Sequence, residues 1–168
     1  MANFRWARSD DYRAIASLNA QVFKLHAAAR PDLLRMVDTP MERARFEEML
    51  LSEQTRILVM EDEQAGGILG FAALRLEQAP DKPVLMPRKT VYIADLGVDE
   101  NIRGRGLGSA LLRHVIELAK QWGADDVELQ VSEFNEGAIR LYEKFGFRTK
   151  TRKMELILQE SDRSTDDN

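Results

Sequence analysis

Three glycines and two arginines alternate in the segment Arg103-Gly104-Arg105-Gly106-Leu107-Gly108, which runs directly into an amphipathic stretch. Because glycine has no Cβ, the backbone N–H groups around it can approach an anion closely, and a helix that begins here adds the positive end of its dipole. Arginine guanidinium groups match phosphate oxygens. Residues 103–109, which we call the glycine turn, therefore predict a phosphate-binding site. The alternative is a tight turn with incidental arginines.

The common nucleotide-binding motifs do not fit the glycine turn. The sequence contains no G-x-x-x-x-G-K-[ST], which excludes a P-loop. In a G-x-G-x-x-G pattern that begins at Gly104, Ser109 occupies the position of the third glycine. Glu128, about twenty residues further on, falls inside a predicted strand instead of ending one. The phosphate therefore belongs to a ligand other than a dinucleotide bound in the Rossmann manner.

Hydrophobic periodicity predicts the elements that position the glycine turn. The run TVYIADLGV, residues 90–98, predicts a strand before it. An apolar stripe after it predicts a helix that Gly123 ends, with the members Leu111, Leu112, Val115, Ile116, Ala119 and Trp122. Residues 127–131 alternate like a half-buried strand, and a short helix closed by Gly146 follows. His114, beside polar neighbours in mid-helix, is predicted to be exposed.

The remaining elements lie at the two ends of the chain. A short strand leads into a helix capped by Ser9 or Asp10, whose apolar positions are Ile15, Leu18, Val22 and Phe23. A capping box at residues 39–42 predicts a second helix that ends near Ser52. Residues 57–60 and 68–76 predict a hairpin, and the proline-rich residues 78–89 an irregular loop. Lys153–Leu158 is predicted to be a last strand.

Length and composition predict one globular domain over residues 1–158 and a polar, disordered tail over residues 159–168. The 168 residues contain no cysteine, which excludes disulfides and thiolate catalysis and favours a cytoplasmic location. The two histidines lie too far apart to suggest a metal site. A net charge of −4 disfavours nucleic-acid binding. No apolar run approaches the roughly 18 residues of a membrane span, and the N-terminus shows no secretory h-region.

The glycine turn resembles the coenzyme A signature R/Q-x-x-G-x-G/A of the GCN5-related N-acetyltransferases. Two further features are similar to that family. The preceding strand ends in Leu96-Gly97-Val98, like the family's L-x-V pattern, and Asn135, Ala138, Tyr142, Gly146 and Phe147 match N-x-x-A-x-x-x-Y-x-x-x-G-F. The resemblance covers residues 90–147. It implies an α/β fold with a mixed, mostly antiparallel sheet flanked by helices.

The resemblance also implies roles for individual residues. The amides of the glycine turn, with the members Arg103, Gly104, Arg105, Gly106, Leu107, Gly108 and Ser109, would bind the pyrophosphate of acetyl-CoA. The backbone of Leu96 and Val98 would pair with the pantetheine arm and polarise the thioester carbonyl. Asn135 would hydrogen-bond a pantetheine amide, or cap the helix that follows it. Tyr142 would protonate the departing thiolate; the alternative is a core residue.

The proton acceptor is the open question at the sequence level. Many family members carry a glutamate just before the position of Asp95, but this chain has Ala94 there. Asp95 could therefore take the amine proton, directly or through water, or could instead cap backbone amides beside a strand bulge. His26, Arg30 and Asp32 lie in the region that usually lines the acceptor pocket. They could orient an acceptor, or belong to a solvated loop in which Pro31 ends a helix.

These observations predict an N-acetyltransferase that moves acetyl from acetyl-CoA to the primary amine of a small molecule or a protein, without a metal. Direct attack is expected, since no cysteine can carry an acyl group. A non-catalytic acyl-CoA sensor is the alternative, and a nucleic-acid module built on RGRG is disfavoured by charge. The resemblance also allows a homodimer.

Overall fold

The computed structural model describes residues 2–158, so the tail predicted at 159–168 lies outside the described residues. The chain divides into two compact units, Met1–Phe134 and Asn135–Asn168. In the first unit, the described residues contain β1 (Ala2–Trp6), α1 (Tyr12–Ala29), α2 (Arg43–Leu51), β2 (Thr55–Asp62), β3 (Ile68–Gln78), β4 (Lys89–Val98), α3 (Leu107–Gln121) and β5 (Asp126–Leu129). In the second they contain α4 (Glu136–Lys144).

The five strands form one sheet in the order β1-β2-β3-β4-β5. β1 to β4 are antiparallel neighbours, whereas β5 runs parallel to β4. A parallel pair needs a crossover connection, which α3 supplies between β4 and β5. The predicted mixed, mostly antiparallel sheet with flanking helices is confirmed.

Different helices cover the two faces of the sheet, because side chains alternate along each strand. On one side, a buried cluster joins the strands to α1 and α2 through Ile15, Leu18, Phe46, Ile57, Val59 and Phe71. On the other, Phe4 stacks on His114 of α3 with ring centroids 4.2 Å apart, and Trp6 stacks on Trp122 at 5.9 Å. We call these sides the α1 face and the α3 face.

His114 is therefore not the exposed residue that its polar sequence neighbours suggested. Its ring is half-buried against Phe4, and this burial lowers the pKa of His114. The prediction was wrong because it considered only the residues along the helix, whereas the contact comes from a strand about 110 residues earlier in the chain.

Two predicted helix starts also differ from the structure. Glu42 precedes α2, which begins only at Arg43 and has no side-chain cap, so the predicted capping box at residues 39–42 is wrong. Met41 is instead buried, and its carbonyl accepts a hydrogen bond of 3.0 Å from the Tyr12 hydroxyl. Before α1, Ser9–Asp11 forms a short 3₁₀ turn, and neither predicted cap acts as one.

The end of the described chain differs from its prediction as well. β5 ends at Leu129, and residues 153–158, predicted to be a last strand, belong to no strand. The apolar side chains of this segment are largely exposed, including Met154 at 85% and Leu156 at 83%. An alternating pattern forms a strand only where a neighbour accepts its backbone hydrogen bonds, and the sequence does not specify that neighbour.

A partly buried ion network ties β1 to the entrance of α1. Arg5 donates to both oxygens of Asp11 at 2.7 and 2.9 Å and to both oxygens of Glu61 at 3.2 and 3.1 Å. Asp11 also accepts a 2.7 Å bond from the Arg8 amide. These contacts hold the pKa of the Asp11 carboxyl below its usual range, chiefly through the hydrogen bond from Arg5.

We expect Asp11→Asn to lower the free energy of unfolding by about 1.5–3 kcal/mol at neutral pH, because a charge-assisted, half-buried pair is lost. A depressed carboxyl pKa contributes stability above the ordinary pKa of aspartate, and this contribution disappears as pH falls through the folded-state value. Urea titrations at neutral and acid pH should therefore show the parent–variant difference shrinking in acid.

The matched control for this prediction is Asp32→Asn. Asp32 forms a similar bidentate pair with Arg30, at 3.0 and 2.8 Å, but in an exposed loop. Solvent screens exposed pairs of that kind, so they contribute little to stability. An equal effect of both substitutions would show that burial does not strengthen the Arg5–Asp11 pair.

Candidate active site

A β-bulge at Ala94 directs the Asp95 side chain toward the α1 face. β3 and β4 pair Leu74 with Ile93 and Ala73 with Asp95, so Ala94 has no cross-strand partner. Residues directly opposite each other share a face, and along β3 Ala73 shares its face with Phe71 of the α1-face cluster. Without the bulge, Asp95 would share the face of Ile93, on the α3 side. The inserted residue therefore re-aims the carboxylate.

The Asp95 carboxylate lies half-buried between β4 and α1. It accepts a 2.5 Å hydrogen bond from Nδ2 of Asn19 on α1. Burial raises the pKa of Asp95, while the bonds from Asn19 and from the Leu96 amide and the charge of His26 lower it in part. The net direction is upward, which brings the carboxylate closer to the basicity that a proton acceptor needs.

The last residues of β4 offer an unpaired backbone edge on the side of β5. β4 pairs with β5 only from Thr90 to Ile93. On the other side of β4, the Asp99 amide donates to the Leu69 carbonyl at 3.0 Å. Because backbone groups alternate direction along an antiparallel strand, those of Leu96 and Val98 point away from β3, toward the space that β5 leaves. The two residues that the sequence assigned to the pantetheine arm are those whose backbone groups face this gap.

The glycine turn connects this edge to the start of α3. Gly104 and Gly106 have φ of +80° and +77°, the left-handed region that glycine adopts without strain. A Cβ built on either glycine would meet no heavy atom within 4 Å, so the turn is open. Gly106 occupies the N-cap position of α3, and no side chain caps the helix. The amides of the first helical turn are therefore available to an anion.

Asn135 and Tyr142 lie in the second unit, Asn135 at the N-cap of α4 and Tyr142 within it. The Asn135 side-chain oxygen accepts a 3.2 Å bond from the Ala138 amide, which confirms its alternative role as a helix cap. The half-buried Tyr142 ring packs beside Phe147, with centroids 5.7 Å apart. This contact explains the position of the ring. The role of the hydroxyl as proton donor stays a prediction.

The three residues predicted to line the acceptor pocket, His26, Arg30 and Asp32, lie in two different parts of the fold. α1 ends at Ala29, before Pro31, and Arg30 pairs with Asp32 in the exposed loop that was the alternative prediction. His26 instead lies on α1, with Nδ1 2.9 Å from the Val22 carbonyl. Within the first unit, α1 packs on β4 where Asn19 meets Asp95, and the glycine turn follows the end of β4 along the chain.

Asn19 is a site residue that sequence reasoning missed. Asparagine is unfavourable inside a helix because its side chain competes for backbone hydrogen bonds. Its place between Leu18 and Ala20 therefore indicated a specific partner, although only the structure identifies that partner as Asp95. In residues 2–158, no group of three or more histidine, cysteine and acidic side chains could hold a metal ion. No helix in the same range is long and apolar enough to cross a membrane.

Comparisons with known proteins agree with this geometry. A sequence model of the acetyltransferase (GNAT) family matches residues 19–147, a range that contains Asn19, Asp95, the glycine turn and Tyr142. The L-amino acid N-acetyltransferase AaaT of Escherichia coli is 28% identical over 147 residues, which are 85% of this chain and 80% of that protein. The uncharacterized N-acetyltransferase MJ1207 of Methanocaldococcus jannaschii is 44% identical over 63 residues, which are 38% of this chain.

Among solved structures, a tetramutant of the BH1408 protein from Bacillus halodurans superposes with a TM-score of 0.89 at 36% identity. This match covers 93% of the present chain and 99% of that one. In contrast, the aligned segment spans only 28% of the length of MJ1207. The likeness to BH1408 therefore extends over the whole fold, whereas the likeness to MJ1207 is local.

Proposed function

This chain belongs to the acetyltransferase (GNAT) family of enzymes, and on that premise we propose that it transfers an acetyl group from acetyl-CoA to a primary amine. The observation that carries the proposal is the continuity of the unpaired β4 edge with the open glycine turn. An extended pantetheine arm suits the backbone of Leu96 and Val98, as an added strand would. Its pyrophosphate suits the uncapped start of α3, with Arg103 and Arg105 close by in sequence.

In the proposed reaction, acetyl-CoA supplies an activated thioester carbonyl. The β4 backbone aligns and polarises this carbonyl, and Asp95 takes a proton from the acceptor ammonium. The neutral amine then attacks, so that a C–N bond forms and the C–S bond breaks. Tyr142 donates a proton to the departing thiolate, and the second proton that the amine nitrogen loses on becoming an amide restores the Tyr142 hydroxyl. The net products are an N-acetylated amine, free CoA and one proton released to solvent. With no cysteine in the chain, no thioester intermediate on the protein is available.

A thiol-release assay across amine classes tests the proposal. The panel contains L-amino acids, polyamines, aminoglycosides and peptides with a free N-terminus or lysine; the name of AaaT is the reason for including amino acids. We expect acetyl-CoA-dependent thiol release with one class and none without an acceptor. Calorimetric binding of acetyl-CoA with no turnover on any amine would favour the acyl-CoA sensor alternative. No binding of acetyl-CoA would contradict both the acetyltransferase and the sensor.

Gly106→Ala should weaken CoA binding by roughly tenfold or more. Each factor of ten in Kd corresponds to about 1.4 kcal/mol of binding free energy. The added Cβ occupies the open space of the turn, where a phosphate must approach the backbone. Calorimetry with CoA measures the effect.

The matched control is Gly123→Ala, after the end of α3. Gly123 also has a positive φ, +66°, and an added Cβ there would likewise meet nothing within 4 Å. Both substitutions therefore carry a similar backbone strain of about 1–2 kcal/mol. Equal loss of CoA affinity in both variants would attribute the effect to strain and contradict a phosphate site at Gly106.

A further inference from the structure

One face of α1 lies along the end of β4. Asn19 bonds to Asp95, and a Cβ built on Gly97 would come within 3.0 Å of the Val22 side chain. Gln21 accepts a 2.9 Å bond from the Glu100 amide just beyond the strand. His26 lies four residues after Val22, so it continues this face by one helical turn. The acidic group proposed as proton acceptor and a histidine therefore share one interface.

The His26 ring is fixed with a known orientation. Its Nδ1 lies 2.9 Å from the Val22 carbonyl, and because a carbonyl can only accept, Nδ1 carries the hydrogen. The neutral ring then has its acceptor lone pair on Nε2. Phe134 contacts the ring edge-on, with centroids 5.3 Å apart and an interplanar angle of 80°. His26 is itself only partly buried, and its neighbour Leu25 is 44% exposed, so this part of α1 is accessible to solvent.

Asp95 needs an exit for the proton that it takes up. The carboxylate is half-buried, and burial favours its protonated form. A carboxyl group that keeps its proton after one turnover cannot accept the next. Asn19 and the Leu96 amide are hydrogen-bond donors and cannot take the proton away. His26 is the neighbouring group that can accept one.

Resting on the proposed function, we propose that His26 is a proton relay, which passes the proton taken up by Asp95 to solvent and so restores the carboxylate for the next turnover. The acceptor ammonium loses one proton to the Asp95 carboxylate. That proton moves, directly or through water, to the lone pair of His26 Nε2, and the imidazolium then releases it to bulk water. Asp95 and His26 both end in their starting states, and the one proton released equals the one that amine acetylation produces.

The other charges near this interface do not compete for the role. β3 and β4 are the strands packed on α1. The charged residues of β3, Arg75 and Glu77, form their own exposed pair at 2.8 Å. On β4, Lys89 lies at the opposite end of the strand from Asp95. The charge that acts on Asp95 is that of His26, and it lowers the pKa of the carboxyl.

The test is chemical rescue of His26→Ala. We expect this variant to lose roughly tenfold or more in kcat, and at most the about 10²–10⁴-fold of a full acid–base contribution, with little change in the KM for acetyl-CoA. Added imidazole should restore the rate in proportion to its concentration, after subtraction of its reaction with acetyl-CoA in the absence of protein. His114→Ala, which removes the other histidine, should show neither the loss nor the rescue.

A second measurement does not depend on turnover. The carboxyl ¹³C signal of Asp95, assigned by its absence in Asp95→Asn, should titrate at higher pH in His26→Ala, since a positive charge that lowers the pKa has been removed. An unchanged Asp95 titration, full activity of the variant or a loss that imidazole does not rescue would each overturn the relay. Absence of turnover in the parent protein would instead defeat the proposed function.

Discussion

Asp95→Asn should lower kcat by roughly 10²–10⁴-fold near neutral pH and by much less at high pH. An alkyl ammonium has a pKa of about 10.4, so only about a thousandth of the acceptor is neutral at physiological pH, a cost of about 4 kcal/mol. The carboxylate offsets this cost only where the acceptor is still protonated. Asparagine keeps the shape of the side chain but cannot accept a proton. Steady-state pH profiles of parent and variant give the comparison.

A control is Asp81→Asn, which removes an exposed carboxylate from the loop between β3 and β4. It should leave the pH profile unchanged. A uniform loss for Asp95→Asn at every pH would assign Asp95 to structure. No loss would point to a water relay or to another carboxylate.

The same substitution should stabilise the fold at neutral pH while it removes activity. The folded-state pKa of Asp95 is raised, chiefly by burial. A group of this kind favours folding below its unfolded-state pKa, and this contribution is lost as pH rises through the folded-state value. At neutral pH the ionised carboxylate is therefore a destabilising group that asparagine relieves. This opposition between stability and activity is typical of residues retained for function.

The sequence predicts the glycine turn well because its properties are local. Gly104 and Gly106 adopt positive φ, the apolar stripe after them forms α3, and Gly123 ends that helix. Each of these features depends only on neighbouring residues along the chain. The orientation of Asp95 is a different case. It follows from a bulge that exists only as a mismatch between β3 and β4, and strand register is a long-range property.

The same distinction between local and long-range properties explains which predictions failed near the two ends of the chain. Asn19 was missed because it meets Asp95 only when α1 packs on β4, a contact across 76 residues of sequence. Residues 153–158 have the alternation of a strand but belong to no strand among the described residues. Local chemistry could be inferred from the residues themselves, whereas pairing and packing partners could not.

Tyr142→Phe should lower kcat by about ten to a hundredfold, because a hydrogen bond to a charged group contributes about 1.5–3 kcal/mol. A thiol pKa of about 8.5 and a tyrosine pKa of about 10 make full proton transfer to the thiolate uphill by about 2 kcal/mol, so the hydroxyl acts mainly as a donor in the transition state. Phenylalanine keeps the ring contact with Phe147. Folding and the affinity for acetyl-CoA should therefore change far less than the rate.

Tyr12, another of the three tyrosines of the chain, provides a control for this prediction. The Tyr12 hydroxyl donates to the Met41 carbonyl in the α1-face cluster, so Tyr12→Phe should lower the free energy of unfolding by about 1 kcal/mol and leave kcat unchanged. Tyr142→Phe should instead show a specific loss in kcat. Kinetics, calorimetric binding of acetyl-CoA and urea denaturation on both variants separate the outcomes. A parental rate in Tyr142→Phe would mean that water protonates the thiolate. A loss of stability or binding without a specific loss in kcat would assign Tyr142 to packing against Phe147.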